Sequence, residues 1–241
     1  MLLNCDMGES FGNYSISQDD KIMPHVDMAN IACGMHASDP EVMNHTVTLA
    51  KTYGVRIGAH PGYPDLQGFG RRNMALSPSE CKNTMLYQVG ALSAFCRIHE
   101  VSLDYIKPHG ALYNTMMRDE AILRAALQVA AKMECKLMIL ATARWQEHKK
   151  LATEYGTEII LEGFVDRGYE DDGSLINRNK EGALIAKAEM IQRVKNCCLG
   201  RAILSRAGNT LNFPIDSLCV HGDGDGAHLI KEFKTIIEEH A

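Results

Sequence analysis

The chain has 241 residues, of which 46% are apolar and 23% are charged, as is typical of a globular protein with a full hydrophobic core. Its formal net charge of -5 at pH 7 argues against nucleic acid as the main partner, because phosphate binding needs a basic surface. No apolar run approaches the ~20 residues of a membrane-spanning helix, so we expect no membrane association. The sequence begins without an export signal, and its eight cysteines include no CxxC pair, so we expect a cytoplasmic protein.

Short apolar runs recur along the chain, and most are apolar at nearly every position, as buried parallel strands are. Helical segments separate them, and their starts are marked by Asp39, by Ser77 with Glu80, and by Asp119. This alternation predicts a parallel sheet with helices outside, either closed as a barrel or open and doubly wound. The predicted strands cover residues 2–6, 28–34, 56–61, 105–110, 136–141, 158–166 and 217–222.

The segment 200–216 breaks the alternation, because its Ala-Gly-Asn sequence between two apolar runs is typical of a short hairpin. No linker, repeat or low-complexity tract divides the rest of the chain. We therefore predict a single β/α domain over residues 1–241, with a small hairpin insertion near 200–216. Cys5, Cys33 and Cys219 lie within the apolar runs and are predicted to be small core residues.

Polar residues concentrate where the predicted strands end, and in parallel α/β folds these ends converge on one mouth. Four of the ten histidines lie there, which predicts a shared pocket, whereas the others should be solvated surface residues. Only the end of the fifth predicted strand, ATARWQ, carries no candidate functional residue. The predicted catalytic residues are Asp6, His36, His60, Lys107, His109, Asp166, His221 and Asp223. The predicted substrate- or anion-binding residues are Asn4, Glu9, Asn30, Arg71, Arg72, Tyr113, Asn114, Arg167 and Gly222.

Two kinds of chemistry fit this set of residues. Histidine and aspartate side chains can bind a divalent metal, and Asp6, His60 and His109 are the predicted ligands. The same residues can form an acid–base relay without a metal, in which carboxylates tune the imidazole and lysine groups. Because these residues are far apart in the chain, their spacing leaves both alternatives open.

Two glycine-rich loops add a prediction of anion binding. The segment 221–226, HGDGDG, follows the last predicted strand, and its backbone N–H groups could bind a phosphate or a carboxylate. The segment 68–72, GFGRR, presents Arg71 and Arg72, which either capture an anion or pair with surface carboxylates. No Walker A sequence is present, so the sequence does not define where a nucleotide would bind.

Long motifs run through the chain almost from end to end. They are LNCDMGESFG at 3–12, ANIACGMHASDPEVM at 29–43, GAHPGYPDLQGFGRR at 58–72, KPHGALYN at 107–114, FVDRGYEDDGSL at 164–175 and SLCVHGDGDGAH at 217–228. Motifs of this length, in this order, are highly specific. They resemble those of the LamB/YcsF family, the family of the A subunit of 5-oxoprolinase.

The resemblance implies a seven-stranded parallel β/α barrel similar to the glycoside hydrolase and deacetylase barrels. It implies a subunit that works with two other subunits to open 5-oxo-L-proline to L-glutamate, with ATP as co-substrate hydrolysed to ADP and phosphate. Barrels of the deacetylase type bind a metal through Asp and His, and Asp6, His60 and His109 occupy comparable strand ends. The alternatives are a stand-alone metal-dependent amidohydrolase or deacetylase, and a non-catalytic subunit that presents ligand to its partners.

Overall fold

The computed structural model describes residues 1–16, 18–221 and 228–240, which contain nine strands. The strands are β1 (Leu2–Met7), β2 (Met28–Ala32), β3 (Arg56–His60), β4 (Leu103–Ile106), β5 (Lys136–Leu140), β6 (Ile159–Phe164), β7 (Ile203–Leu204), β8 (Thr210–Leu211) and β9 (Ser217–Val220). All except β7 and β8 form one parallel barrel, which closes because β9 pairs with both β6 and β1. The predicted seven-stranded parallel β/α barrel is therefore confirmed, and the open sheet is excluded.

Helices follow most of the barrel strands and cover the outside of the barrel. The described helices are α1 (Asp19–Ile22), α2 (Pro40–Tyr53), α3 (Pro78–Ile98), α4 (Gly110–Arg118), α5 (Glu120–Lys132), α6 (Trp145–Glu154), α7 (Lys187–Cys198) and α8 (Ile230–Glu239). The predicted start signals are confirmed. Asp39 accepts hydrogen bonds from the first N–H groups of α2, and Ser77 and Glu80 form a reciprocal capping box at α3.

Side chains alternate between the two faces of the barrel wall, with the period of two that strands impose. On β1, Leu3 and Cys5 join the apolar core beneath the helices, whereas Asn4 and Asp6 bond to residues of other strands across the barrel interior. A separate apolar layer fills the interior below them. It consists of Leu2, Met28, Tyr105, Met138 and Ile160. The interior thus changes from apolar to polar toward the carboxyl ends of the strands.

Gly58 on β3 makes room for Tyr105 within this interior. A β-carbon at Gly58 would lie 2.1 Å from a carbon of the Tyr105 ring, so only glycine is compatible with the ring in this position. The Tyr105 hydroxyl donates a hydrogen bond to Asn30 Oδ1 at 2.6 Å. Tyr105 therefore joins the apolar layer to the polar residues above it.

The antiparallel pair of β7 and β8 lies between α7 and β9, within the segment 200–216. Ile203 is opposite Leu211 in this pair, and both side chains are buried. Among the described helices, none is long and apolar enough to cross a membrane.

Candidate active site

The centre of the barrel mouth is a buried layer of hydrogen-bonded polar side chains. Asp6 Oδ1 accepts hydrogen bonds from Asn30 Nδ2 at 2.8 Å and from Lys107 Nζ at 2.9 Å. Asn30 also donates to Asn4 Oδ1 at 2.9 Å, and Asn4 donates to the Ser217 hydroxyl at 2.8 Å. With Glu162, which also contacts Lys107, these residues form what we call the floor: Asn4, Asp6, Asn30, Lys107 and Glu162.

Lys107 holds two carboxylates of the floor together. Its ammonium group lies 2.9 Å from Asp6 Oδ1, 2.8 Å from Glu162 Oε1 and 3.1 Å from Cys219 Sγ. Burial opposes the charge of Lys107, but the negative groups around it raise its pKa well above the usual value. The ammonium group donates its hydrogen bonds to Asp6 Oδ1, to Cys219 Sγ and, at 3.4 Å, to Asn4 Oδ1, and Glu162 adds an ion pair. Lys107 therefore supplies a fixed positive charge rather than a proton.

Asp6 is ionised because neighbouring groups offset the cost of burying its charge. Burial alone would raise the pKa of Asp6, but its interactions with His60 and with the ammonium group of Lys107 hold it well below its usual range. Cys219 is buried, as predicted, but it is more than a packing residue because its thiol contacts Lys107.

His60 and His109 point ring nitrogens at each other. The Nδ1–H of His60 donates to the main-chain carbonyl of Lys107 at 2.6 Å, and the Nε2–H of His109 donates to the carbonyl of Phe69 at 2.8 Å. Since a carbonyl only accepts, these bonds place the protons of both neutral rings on the outer nitrogens. The inner nitrogens, Nε2 of His60 and Nδ1 of His109, lie 2.9 Å apart. Two lone pairs at this distance need a cation between them, either a shared proton or a metal ion.

Carboxylate oxygens complete a set of groups that fits a metal ion. Asp6 Oδ2 lies 3.4 Å from His60 Nε2, and Glu9 Oε1 lies 3.6 Å from His109 Nδ1. Ligand atoms bound at ~2.0–2.2 Å to one ion are separated by about 3–3.5 Å, so these separations are suitable. Two imidazole nitrogens with a carboxylate oxygen suit a divalent transition metal.

His36 lies beside this pair but is badly oriented to share an ion with His109. Potential ligand atoms of Glu9, His36, His60 and His109 all lie within 4.8 Å of one another. However, the rings of His36 and His109 are stacked, with centroids 3.8 Å apart and planes only 3° apart. An imidazole binds a metal in the plane of its ring, and two parallel stacked planes share no such position. The geometry therefore favours His60 and His109 with a carboxylate of Asp6 or Glu9.

Asp166 and His221 form a second pair beside the floor. The Nδ1–H of His221 donates to Asp166 Oδ2 at 2.8 Å, and the His221 ring stacks on Phe164. Burial opposes ionisation of Asp166, but His221 lowers its pKa. Ligand atoms of His221, Asp6 and Cys219 lie within 4.8 Å of one another. The hydrogen bond to Asp166 thus leaves Nε2 of His221 as the nitrogen for a reacting group.

Arg71 and Arg72 are adjacent in the chain but have different surroundings. Arg71 lines the cavity above the floor, and its guanidinium lies 4.9 Å from the centre of the Phe69 ring. Arg72 forms an ion pair with Asp65 and lowers the pKa of that carboxyl to about 2. Arg72 is not among the described residues that line the cavity. Its predicted anion-binding role is therefore not supported by its position.

Arg167 and Arg178 add positive charge to the edge of the same cavity. Arg167 is buried and donates hydrogen bonds to the carbonyls of Ala183 and Ile176, which holds the loop after β6 in place. Burial, with the charge of Arg178, lowers the pKa of Arg167 to about 10, so the guanidinium remains charged at neutral pH. We call Arg71, Arg167 and Arg178 the rim.

The cavity has a volume of about 880 Å³ and brings together many of the predicted residues. Those that line it are Asp6, His60, Arg71, Lys107, His109, Tyr113, Asn114, Arg167 and His221. Others lie behind the lining residues and hold them in place: Asn4, Glu9, Asn30, His36 and Asp166. Gly222 and Asp223 lie outside the described residues.

Several residues around the cavity escaped the sequence analysis. Glu162 is completely buried and also accepts a hydrogen bond from the Tyr113 hydroxyl at 2.8 Å. A carboxylate in the middle of an apolar strand was the available signal for it. The prediction that the end of the fifth strand carries no candidate functional residue was wrong, because Arg144 and His148 from this region also line the cavity. His148, predicted to be solvated, is only 5% exposed.

The fold and these clusters define a β/α-barrel protein whose buried ionisable groups lie where such barrels carry their active sites. The sequence matches the LamB/YcsF family over residues 1–240, and the chain belongs to this family.

Relatives and solved structures agree with this assignment. A protein of Vibrio parahaemolyticus, named as the A subunit of 5-oxoprolinase, is 47% identical over 226 residues, which cover 93% of this chain and 90% of the relative. Another of that name from Clostridium beijerinckii is 45% identical over 239 residues, covering 98% and 93%. The crystal structure of a lactam utilization protein from Thermus thermophilus matches with a TM-score of 0.86 and 36% identity, covering 100% and 95%.

Proposed function

We propose that this chain is the A subunit of an ATP-dependent 5-oxoprolinase. In this reaction 5-oxo-L-proline, ATP and water give L-glutamate, ADP and phosphate, and two other subunits take part in the cytoplasm. The observation that carries the proposal is the 45–47% identity, over nearly the whole chain, to relatives named as this subunit of 5-oxoprolinase. The charged cavity at the barrel mouth supports it, because opening a lactam requires both an activated water and stabilisation of negative charge.

The lactam ring is a stable amide, and phosphorylation of its carbonyl oxygen would turn that oxygen into a leaving group. In our proposal the floor orients this activated carbonyl, and the fixed charge of Lys107 stabilises negative charge that develops during water attack. The rim binds the carboxylate of the substrate or its phosphoryl group, since guanidinium groups pair well with both anions. Arg167 has N–H groups beyond the two that bind main-chain carbonyls, so it can serve both purposes.

We assign proton transfer to His221. Its Nδ1 is held by Asp166, so its Nε2 is suited to take a proton from the attacking water and return it to the ring nitrogen as the C–N bond breaks. This step leaves an acyl phosphate of glutamate, from which a second water releases phosphate. Asp166 acts as a positioning residue, because it touches His221 and does not line the cavity among the described residues.

A divalent metal fits beside the floor at His60 and His109, with Asp6 or Glu9 as the carboxylate ligand. Such an ion would activate water and polarise a carbonyl oxygen. The carbonyl-anchored imidazoles favour this over an acid–base relay without metal, since both inner nitrogens lack a proton when the rings are neutral.

The test is an assay of glutamate and phosphate release with the full chain alone and with its candidate partner subunits. We expect negligible turnover by the chain alone and ATP-coupled turnover by the assembled enzyme. Full ATP-coupled turnover by the isolated chain would contradict the dependence on partners. Absence of glutamate release by the assembled enzyme would contradict the proposed reaction.

A further inference from the structure

Helix α4 presents one of its faces to the cavity above the floor. This face begins with Gly110 and Ala111, directly after His109, and continues with Asn114 one turn further along. At a rise of about 1.5 Å per residue, Asn114 lies about 7 Å along the helix axis from His109. A small molecule bound over the floor therefore lies within reach of the Asn114 side chain.

Two contacts hold this part of α4 in place. The Ala111 N–H donates to the main-chain carbonyl of Gly70 at 2.9 Å, and the Tyr113 hydroxyl donates to Glu162 of the floor at 2.8 Å. Groups carried by a packed helix are positioned more precisely than groups on loops. Asn114, the residue after Tyr113, is therefore presented to the cavity from a fixed base.

The side-chain amide of Asn114 is available for a ligand. Asn114 is exposed and lines the cavity, and its amide forms no hydrogen bond with any residue in the described part of the chain. Asparagine is a poor helix former, because its side chain competes for main-chain hydrogen bonds. Helix stability thus does not account for an asparagine in the middle of α4.

The other asparagines that line the cavity are less suited to hold a ligand in a fixed position. They are Asn73, Asn177 and Asn179, and all three lie in loops. Asn177 Oδ1 already accepts the main-chain N–H of Asn179 at 3.0 Å. Among the described residues that line the cavity, Asn114 is therefore the one amide that a helix carries.

A carboxamide matches the amide edge of a small lactam. The five-membered ring holds its amide cis, so the N–H and the carbonyl oxygen lie side by side, whereas an open-chain secondary amide is trans. A carboxamide also carries a donor and an acceptor side by side, so it can form two hydrogen bonds with that edge. The ammonium and guanidinium groups of the cavity only donate, and an ionised carboxylate only accepts.

We propose that Asn114 pairs with the cis amide edge of the lactam and so selects a cyclic amide, an inference that rests on the proposed function. Asn114 follows β4, whereas Arg167 and Arg178 come from the loop after β6. A ring between them can offer its amide edge to Asn114 and its carboxylate to the rim. A carbonyl oxygen has two lone pairs, so the bond from Asn114 leaves one of them for phosphorylation.

The test compares two ligands that differ only at the ring nitrogen. One is 5-oxo-L-proline, and the other is the cyclopentanone carboxylate in which a methylene group replaces the N–H. Asn114→Leu removes the amide at similar volume, and the matched control is Asn83→Leu, since Asn83 is exposed on α3 and is not among the described residues that line the cavity. Calorimetry without ATP gives the Kd of each ligand for the chain with its partner subunits, and the thermal midpoint confirms folding.

We expect the wild type to prefer the lactam, because a site that binds an N–H rejects a ligand that lacks it. Asn114→Leu should weaken lactam binding about five- to a hundredfold, as loss of two hydrogen bonds does. The ketone has only one of these bonds to lose, so its Kd should rise about two- to tenfold and the preference should shrink. Asn83→Leu should leave both Kd values within about twofold of wild type.

Two results would overturn the proposal. One is an unchanged lactam Kd in Asn114→Leu, and the other is an equal loss for both ligands, which would show a general disturbance of the cavity. With either result, glutamate release by the wild-type assembly would leave the proposed function standing. Conversely, lactam binding that depends on Asn114 in an assembly that releases no glutamate would contradict the proposed reaction and support the role of Asn114.

Discussion

The floor and the rim of the barrel mouth are built in different ways. The floor residues lie in strands or directly after them and are buried, and their polar atoms are bonded to one another across the barrel. The rim arginines come from loops, and two of the three are exposed. The floor therefore has its geometry before any ligand arrives, whereas the rim offers charge whose final position a ligand can adjust.

The largest expected effect comes from removing the cation of the floor. In Lys107→Met, the carboxylates of Asp6 and Glu162 would remain buried without their shared partner. Breaking a buried ion pair from one side typically destabilises a protein by about 3–5 kcal/mol. We expect a large fall in the thermal midpoint and loss of turnover by the assembled enzyme. An exposed control, Lys149→Met, should leave both unchanged. A stable Lys107→Met variant would show that the floor tolerates its own charge imbalance.

The second prediction concerns metal binding beside the floor. We expect the wild-type chain to bind roughly one Co²⁺ ion with the absorption of a low-coordinate N/O site. His60→Gln and His109→Gln should each abolish this spectrum, because each removes a nitrogen of the facing pair.

His36→Gln is the matched control for this experiment. Its ring stacks on His109 rather than facing the shared position, so the variant should keep cobalt binding with a smaller loss of affinity. If no variant and no wild-type sample binds cobalt, His60 and His109 share a proton instead, and the acid–base alternative is correct.

The sequence analysis named more of the polar residues at the strand ends than of the residues around them, although it missed Glu162 of the floor. Asp6, His60 and Lys107 lie at the ends of apolar strands, and a parallel barrel must bring such ends together, so periodicity was sufficient to find them. His148 escaped because it lies on a helix after β5, where sequence periodicity does not show that a side chain turns back to the cavity. Arg72 was grouped with Arg71 because neighbours in a loop look equivalent until their partners are known.

The third prediction compares Arg71, which belongs to the rim, with its neighbour Arg72, which does not line the cavity among the described residues. Arg71→Ala removes a cation that lines the cavity, so KM for an anionic substrate should rise about ten- to a hundredfold. Arg72→Ala instead removes the partner of Asp65, and we expect a smaller change in KM. Steady-state kinetics of the assembled enzyme measure both. Equal effects would show that the loop acts as one unit rather than through the contact of Arg71.

The smallest expected effect concerns the loop that follows β1 above the floor. Asp39 Oδ1 caps α2 through the N–H groups of Glu41 and Val42, and Asp39 Oδ2 accepts from the N–H of Gly12 at 2.7 Å. One carboxylate thus fixes a helix start and a loop of the mouth, and the Gly12 bond, followed by the Val42 bond, lowers its pKa. Asp39→Ala should lower the free energy of unfolding by about 1 kcal/mol, as loss of a helix cap does.

The pH dependence of the Asp39→Ala effect provides its test. Because the folded-state pKa of Asp39 is lowered, its ionic contribution is complete above the unfolded value of about 3.9 and is lost as pH falls through the folded pKa. Denaturant titrations of wild type and Asp39→Ala should therefore differ fully at neutral pH and converge as the carboxyl becomes protonated. Asp39→Asn, which keeps an N-cap acceptor, should retain most of the stability at neutral pH. If Asp39→Asn lost as much as Asp39→Ala, the cap would depend on the charge of Asp39, and the loop above the floor would be held mainly by electrostatics rather than by the hydrogen bonds themselves.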